Sequence, residues 1–159
     1  MKKRILPTEP ERSASAADMW LDVEALAELE ITSEDPEHPI DDAVAVGTSQ
    51  SGWRASNSGE QLIRIRFTEP QRLQRIHLVF QEEKDRRTQE FVLRWSTSDA
   101  PADYREIVRQ QYNFSPPDTT QETEDYKVDL TGVRVLELSI VPAIGRGDAY
   151  ASLKELRLA

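Results

Sequence analysis

Most of the chain from residue 61 onward alternates between apolar and charged side chains with a period of two. In the segment 61–67, Ile63, Ile65 and Phe67 are separated by single arginines. Because successive side chains of a β-strand point to opposite faces of a sheet, this pattern predicts strands with one buried and one solvated face. The same alternation recurs at 29–31, 73–80, 91–95 and 126–130, and the segments 104–114, 133–141 and 151–158 are predicted as further strands.

Turn-forming segments separate these apolar runs, and no helical crossover is predicted between them. Glu69-Pro70, Ser98 to Pro101 and Ser115 to Asp118 are such breaks. About eight short strands with little helix favour an all-β fold, and we predict an antiparallel jelly-roll sandwich. Its large core residues are expected to be Phe67, Phe80, Phe91 and Trp95.

The N-terminal region has a different character. Residues 1–17 are polar, contain Pro, Ser and Ala, and show no periodicity, so we expect a flexible tail before a single folded domain of residues 18–159. Trp20, Val23 and Leu26 lie three residues apart. This spacing predicts a short helix with Asp18 as its N-cap, followed by the first strand.

Charge and composition exclude several classes of function. The chain has no cysteine, so thiolate catalysis, disulfides and zinc-thiolate sites are excluded. Its formal charge is -9, and residues 18–48 contain ten acidic residues without a Lys or Arg. This balance disfavours nucleic acid and an anionic membrane as partners. The charged N-terminus is not followed by an apolar run, so a soluble, cytoplasmic protein is expected.

The segment 38–60 is the predicted site, because a long ordered loop inside a small domain is typically functional. It carries His38, Trp53 and Arg54. An aromatic ring stacks on the C–H face of a sugar, and a guanidinium fixes its hydroxyls, so this combination suits a polar ligand such as a carbohydrate. Trp53 has an alternative role as a core residue that packs the loop against the sandwich, whereas Arg54 is the stronger ligand candidate.

Four local patterns, taken in order, resemble the discoidin family, also called the coagulation factor 5/8 type C domains, which have a galactose-binding-like jelly-roll fold. The segment 40–42 leads to Thr48 and Trp53, and the strand 93–99 is followed by an aromatic residue and the Glu-Ile-Val run of 104–108. The segments 133–138 and 152–156 are similar to the last two strand motifs of the family. Asp42 replaces the usual Gly, and the gap to Thr48 is longer than in the family.

This resemblance implies a non-catalytic recognition module that binds its ligand through loops at one end of the sandwich. Carbohydrate is the favoured ligand, and the candidate contacts are His38, Trp53, Arg54, Arg86, Arg87 and Tyr112. Family members often hold Ca²⁺ at the base of the loop, and the matching positions here are Asp41 or Asp42, Thr48 and Glu155. Oxygen ligands of this kind suit Ca²⁺.

One alternative to the carbohydrate hypothesis stays open, and an enzymatic function is not favoured. An enzyme is disfavoured, because the two histidines, His38 and His77, lie in no nucleophile or metal motif. A protein partner is the second hypothesis, with 112–117 as the contact patch. Exposed aromatics there would favour a protein, whereas a cupped loop end with Arg, His and aromatic side chains would favour a small polar ligand.

Overall fold

The structure is a computed structural model that describes residues 20–46, 51–99 and 103–159; the predicted tail of residues 1–17 lies outside this part of the chain. It contains two short helices, α1 (Val23–Leu26) and α2 (Ile40–Val44). The strands are β1 (Ala27–Ile31), β2 (Trp53–Arg54), β3 (Gln61–Gln81), β4 (Arg87–Ser96), β5 (Arg105–Phe114), β6 (Gln121–Val141), β7 (Ser152–Leu153) and β8 (Glu155–Leu158). No described helix has the length and apolar character needed to cross a membrane.

Two long strands, β3 and β6, form the frame of an antiparallel β-sandwich. The first part of β3 pairs with β1 on one side and with the last part of β6 on the other. The sheet then continues from β6 to β4 and from β4 to β5. The second part of β3 pairs with the first part of β6 and with β8. The register shifts between Arg66 and Arg75, around Pro70 and opposite the positive-φ Gly132. Such irregularities bend strands, and they allow β3 and β6 to contribute to both layers.

The core lies between the two layers and confirms the predicted alternation. Ile63, Ile65 and Phe67 are almost completely buried, and so are Phe80 and Phe91. The intervening arginines of β3 face outward and form ion pairs with acidic residues of neighbouring strands. The jelly-roll type of β-sandwich that the sequence predicts is therefore present.

Three local predictions need correction. The first helix begins at Val23, and its N-cap is Asp22, whose Oδ1 accepts a hydrogen bond from the Ala25 N–H at 3.3 Å; Asp18 is outside the described residues. Pro70 does not end a strand, because it occupies an irregular stretch of β3 where the missing N–H is tolerated. The predicted strands 126–130 and 133–141 are likewise one strand, β6.

A chain of buried polar side chains runs through the interior from the start of β4 to β6. The Arg87 Nε atom lies 2.8 Å from Glu82 Oε1, and its Nη1 donates to Gln89 Oε1 at 3.0 Å. Gln89 Nε2 donates to Glu122 Oε1 at 3.3 Å. Burial, together with the adjacent carboxyl of Glu124, raises the pKa of Glu122 to about 9. Glu122 is therefore protonated in the folded protein at neutral pH.

This carboxyl makes stability depend on pH, and we expect Glu122→Gln to remove part of that dependence. Because the folded-state pKa is above the unfolded value, the folded state binds more protons, and stability falls as pH rises from about 5 to about 9. At pH 8 the variant should be more stable than wild type by about 1–3 kcal/mol, since wild-type Glu122 must take up a proton on folding and the Gln side chain does not. Urea unfolding across this pH range measures the effect, with exposed Glu83→Gln as control. Parallel pH profiles for wild type and Glu122→Gln would contradict the assignment.

Candidate functional site

An open cleft of about 520 Å³ lies where four loop segments meet at one end of the sandwich. We call it the first cleft. The segments are the turn 35–38, residues 51–54, the β3–β4 connection 81–85 and the final loop 148–154. Ligand sites of β-sandwich and other scaffolds are typically concavities of this size formed by loops on a rigid frame.

Backbone pairing holds these segments together. In the short β2–β7 ladder, Trp53 pairs with Leu153 and Arg54 with Ser152. Gly52 has a φ of +73° and lies so close to the neighbouring segment that a Cβ atom would be 2.5 Å from the Leu153 carbonyl oxygen. Only glycine allows both this conformation and this approach. The sequence Gly52-Trp53-Arg54 therefore fixes the cleft wall against the last loop.

Trp53 anchors this wall from inside and is not available to a ligand. Its side chain is buried, and its Nε1 donates to the Ser33 carbonyl oxygen at 3.0 Å. The predicted role of Trp53 as a stacking surface is therefore corrected: it has the alternative role, packing the loop against the core.

His38, Arg54 and Tyr150 converge on the first cleft. The Arg54 N–H donates to the His38 carbonyl oxygen at 3.1 Å, and His38 Nδ1 lies 2.9 Å from Ser51 Oγ. The Arg54 side chain is exposed and forms no ion pair with any described residue. Tyr150 is 43% exposed and is one of two large hydrophobic residues that are exposed within the described part of the chain. The cleft thus presents an unpaired guanidinium, an oriented imidazole and an aromatic ring to solvent.

The first cleft also carries an acidic rim, and two arginines compensate part of its charge. Arg146 Nη2 lies 2.6 Å from Asp85 Oδ2, and its Nε lies 3.0 Å from Asp148 Oδ1, which lowers the pKa of Asp148. Burial raises the pKa of Glu82, but hydrogen bonds from Arg87 and from two backbone N–H groups outweigh it and leave that pKa below its ordinary value. The carboxylates of Glu82 and Asp148 therefore stay ionised at neutral pH and can accept hydrogen bonds from hydroxyl groups.

The structure separates the other predicted ligand contacts from this cleft. Arg87 is buried, its Nη1 donates to the Pro142 carbonyl oxygen at 2.7 Å, and its guanidinium lies 4.7 Å from the Phe114 ring centroid. Tyr112 is partly buried and donates its hydroxyl to the Gln121 carbonyl oxygen at 2.9 Å. Both side chains are structural, which corrects their prediction as contacts. Arg86 is exposed but faces a different cleft.

The patch 112–117 that would have favoured a protein partner is not an exposed aromatic cluster. Phe114 is fully buried, and Tyr112 packs edge-on against it with ring centroids 5.0 Å apart. The loop end with its Arg, His and aromatic side chains is the feature that matches the small-ligand hypothesis.

The predicted calcium ligands do not form a suitable group within the described residues. Thr48 lies outside them, and no three His, Asp or Glu side chains described here are placed to hold a metal ion. Asp41 and Asp42 occupy the first turn of α2. Glu155 lies 3.9 Å from both His77 Nε2 and Arg157 Nη2, so its neighbours are basic groups.

A buried arginine instead contacts the base of this loop. Arg157 is 6% exposed, and its Nη1 donates to the Ala43 carbonyl oxygen at 2.7 Å and to the Leu156 carbonyl oxygen at 3.0 Å. A guanidinium here already supplies a positive charge to the loop, and it would repel a divalent cation beside it. Among the described residues, the surroundings of Glu155 and the base of the loop therefore do not fit Ca²⁺.

Two cleft residues, Lys84 and Tyr150, were not among the candidate contacts from sequence. Tyr150 follows the loop sequence Gly-Arg-Gly-Asp at 145–148, and an aromatic residue after a glycine-containing loop was the available signal. Lys84 lies in a charged turn that resembles many solvated turns. Neither position follows an alternating pattern, so only the tertiary arrangement identifies them.

Solved structures with this fold support the architecture. One is a family 32 carbohydrate-binding module of AlyQ in complex with 4,5-unsaturated mannuronic acid, with 17% identity, TM-score 0.58 and coverage of 89% of this chain and 98% of that one. Another is the family 32 module of Clostridium perfringens NanJ in complex with galactose, with 11% identity, TM-score 0.61 and coverage of 87% and 96%. A third is a pectin-binding carbohydrate-binding module, with 14% identity, TM-score 0.57 and coverage of 84% and 89%.

The chain thus has the fold of the family 32 carbohydrate-binding modules, which belong to the F5/8 type C, discoidin-like family. No protein-family model and no curated protein sequence matches it. The resemblance predicted from four short patterns is confirmed at the level of fold.

Proposed function

We propose that this protein is a non-catalytic carbohydrate-binding module that takes a sugar in the first cleft. The observation that carries this proposal is the convergence of exposed Tyr150 with Arg54 and His38 in one open, loop-built concavity. The fold supports it, because structures with the same fold were solved with galactose and with an unsaturated mannuronic acid.

The exposed side chains of the first cleft have different roles in sugar recognition. The ring of Tyr150 supplies a face for the C–H side of a pyranose, which has no charge and little affinity for water. Arg54 donates paired hydrogen bonds to adjacent hydroxyls or ring oxygens, and His38, held by Ser51, adds a donor or acceptor. The carboxylates of the acidic rim accept hydrogen bonds from further hydroxyls.

Thermal unfolding with a panel of sugars tests this proposal, because a ligand that binds only the folded state raises the midpoint. The panel contains galactose, N-acetylgalactosamine, mannuronic acid oligosaccharides and pectin fragments at millimolar concentration. We expect at least one sugar to raise the midpoint for wild type, and Arg54→Ala to reduce its affinity about tenfold, as expected for a lost charge-assisted hydrogen bond. Arg72→Ala, at an exposed ion pair with Asp129 away from the cleft, is the matched control.

No midpoint shift with any sugar, or equal affinity for wild type and Arg54→Ala, would contradict the proposal. Circular dichroism establishes that Arg54→Ala is folded, which is expected because its side chain is exposed and unpaired among the described residues.

A further inference from the structure

A second cleft, of about 360 Å³, lies beside the first and differs from it in charge. Its rim carries the exposed residues Arg86, Asn113, Ile144 and Arg146, and buried Arg87 and Phe114 form its floor. Of the described residues that line it, none is acidic and three are arginines. The first cleft is lined by five acidic residues and by three Lys or Arg residues.

A single side chain divides the two clefts. Arg146 lines the second cleft, and its two ion-pair partners, Asp85 and Asp148, line the first. Its Nη1 also donates to the Arg86 carbonyl oxygen at 3.1 Å. A ligand that leaves the first cleft over this ion-paired arginine therefore arrives directly beside Arg86.

Arg86 is the one arginine of the second cleft that forms no ion pair within the described part of the chain. The other two arginines there are neutralised, Arg87 by Glu82 and Arg146 by Asp85 and Asp148. Arg86 forms no ion pair with a described residue, and its side chain is exposed. Ile144, 45% exposed, is the second large hydrophobic side chain described as exposed and lies on the same rim. A planar guanidinium next to an apolar surface suits a sugar ring that carries a carboxylate or sulfate.

We propose that the two clefts form one extended site for an acidic oligosaccharide, with a sugar in the first cleft and an anionic sugar unit at Arg86 in the second. The proposal rests on the proposed function of the first cleft. The extended site narrows the ligand class from sugars in general to acidic oligosaccharides. The reason is that the positively charged second cleft attracts an anionic group, whereas the mainly acidic first cleft does not.

Isothermal titration calorimetry with four probes tests this inference: galactose, trigalacturonic acid, its neutral methyl ester, and a sulfated galactose disaccharide. The proteins are wild type, Arg86→Ala and the control Lys127→Ala, which removes an exposed cation on β6 that lines neither cleft. We expect at least one anionic oligosaccharide to bind wild type more tightly than galactose or the methyl ester. Arg86→Ala should weaken it about tenfold, leaving galactose unchanged. Which anionic probe responds identifies carboxylate or sulfate as the recognised group.

Three results would overturn the extended site. If neither anionic probe binds wild type more tightly than galactose and the methyl ester, the negative charge is not recognised. Unchanged acidic-oligosaccharide affinity in Arg86→Ala would show that the second cleft is not used. A loss of galactose binding in Arg86→Ala would place this residue in the first cleft. If galactose binds and the anionic probes bind no more tightly, the extended site is rejected while the proposed sugar binding in the first cleft stands. If no probe binds, the proposed function is rejected as well.

Discussion

Tyr150→Ala is expected to lower the affinity for a sugar that binds wild type by at least about tenfold, because stacking on an aromatic ring is a central contribution to sugar binding in a shallow cleft. The ring is 43% exposed and makes no hydrogen bond or ring contact with a described residue. Its removal should therefore leave the free energy of unfolding almost unchanged. Calorimetric titration and urea unfolding of the same preparation measure both quantities.

Tyr150→Phe is the matched control for this experiment. It keeps the ring and removes only the hydroxyl, so its affinity should stay within about threefold of wild type if stacking dominates. Equal losses in both variants would assign the contribution to the hydroxyl and not to the ring face. Wild-type affinity in Tyr150→Ala would place the ligand elsewhere.

Arg157→Ala is expected to lower the free energy of unfolding by about 2–4 kcal/mol, because it removes charge-assisted hydrogen bonds to two backbone carbonyl groups and leaves a cavity. The contact between Arg157 and Ala43 joins residues 114 positions apart in the sequence, and it ties α2 to the last strand. Burial lowers the pKa of this guanidinium, but the ordinary pKa of arginine is so high that the group stays charged at neutral pH. The loop base is therefore positively charged at neutral pH.

The same unfolding measurement, made on wild type, tests whether the loop needs a metal. Urea unfolding of wild type should give the same midpoint with millimolar Ca²⁺ and with a chelator, because Arg157 occupies the loop base. Arg157→Lys should be less destabilised than Arg157→Ala, since it retains the charge and one donor. Arg72→Ala, which removes an exposed ion pair, should lose less than about 1 kcal/mol. A chelator-sensitive wild type, or an Arg157→Ala variant as stable as wild type, would contradict this account.

The sequence was informative wherever a pattern repeats along the chain. Ile63, Ile65 and Phe67 alternate with arginines because one face of β3 is buried and the other meets water, and this local rule is visible without a structure. Division into strands was less predictable, because Pro70 is typical of a turn and only the irregular register of β3 shows that the strand continues. Phe114 is a fully buried core residue in a segment without regular alternation, so its burial could not be predicted.

Single residues of the site depend on contacts that no local pattern encodes. Arg86 and Arg87 are adjacent and chemically identical, yet one is exposed and the other is buried against Phe114 with Glu82 as its partner. Trp53 and Tyr150 are both aromatic loop residues, and only the packing of four segments decides which one faces solvent. The prediction of Arg54 and His38 rested on residue type, and the structure places both in the first cleft.

An NMR titration of the ¹⁵N-labelled protein with the tightest-binding sugar from the panel reports where the ligand binds, and so tests whether the first cleft is the binding site. The account predicts that amide shifts change at Arg54, Lys84 and Tyr150, in three of the segments that form the first cleft, and that the outer faces of the sandwich are unaffected. Changes that cluster around 112–117 or on a sheet face, with the amides of Arg54 and Tyr150 unchanged at saturation, would contradict it.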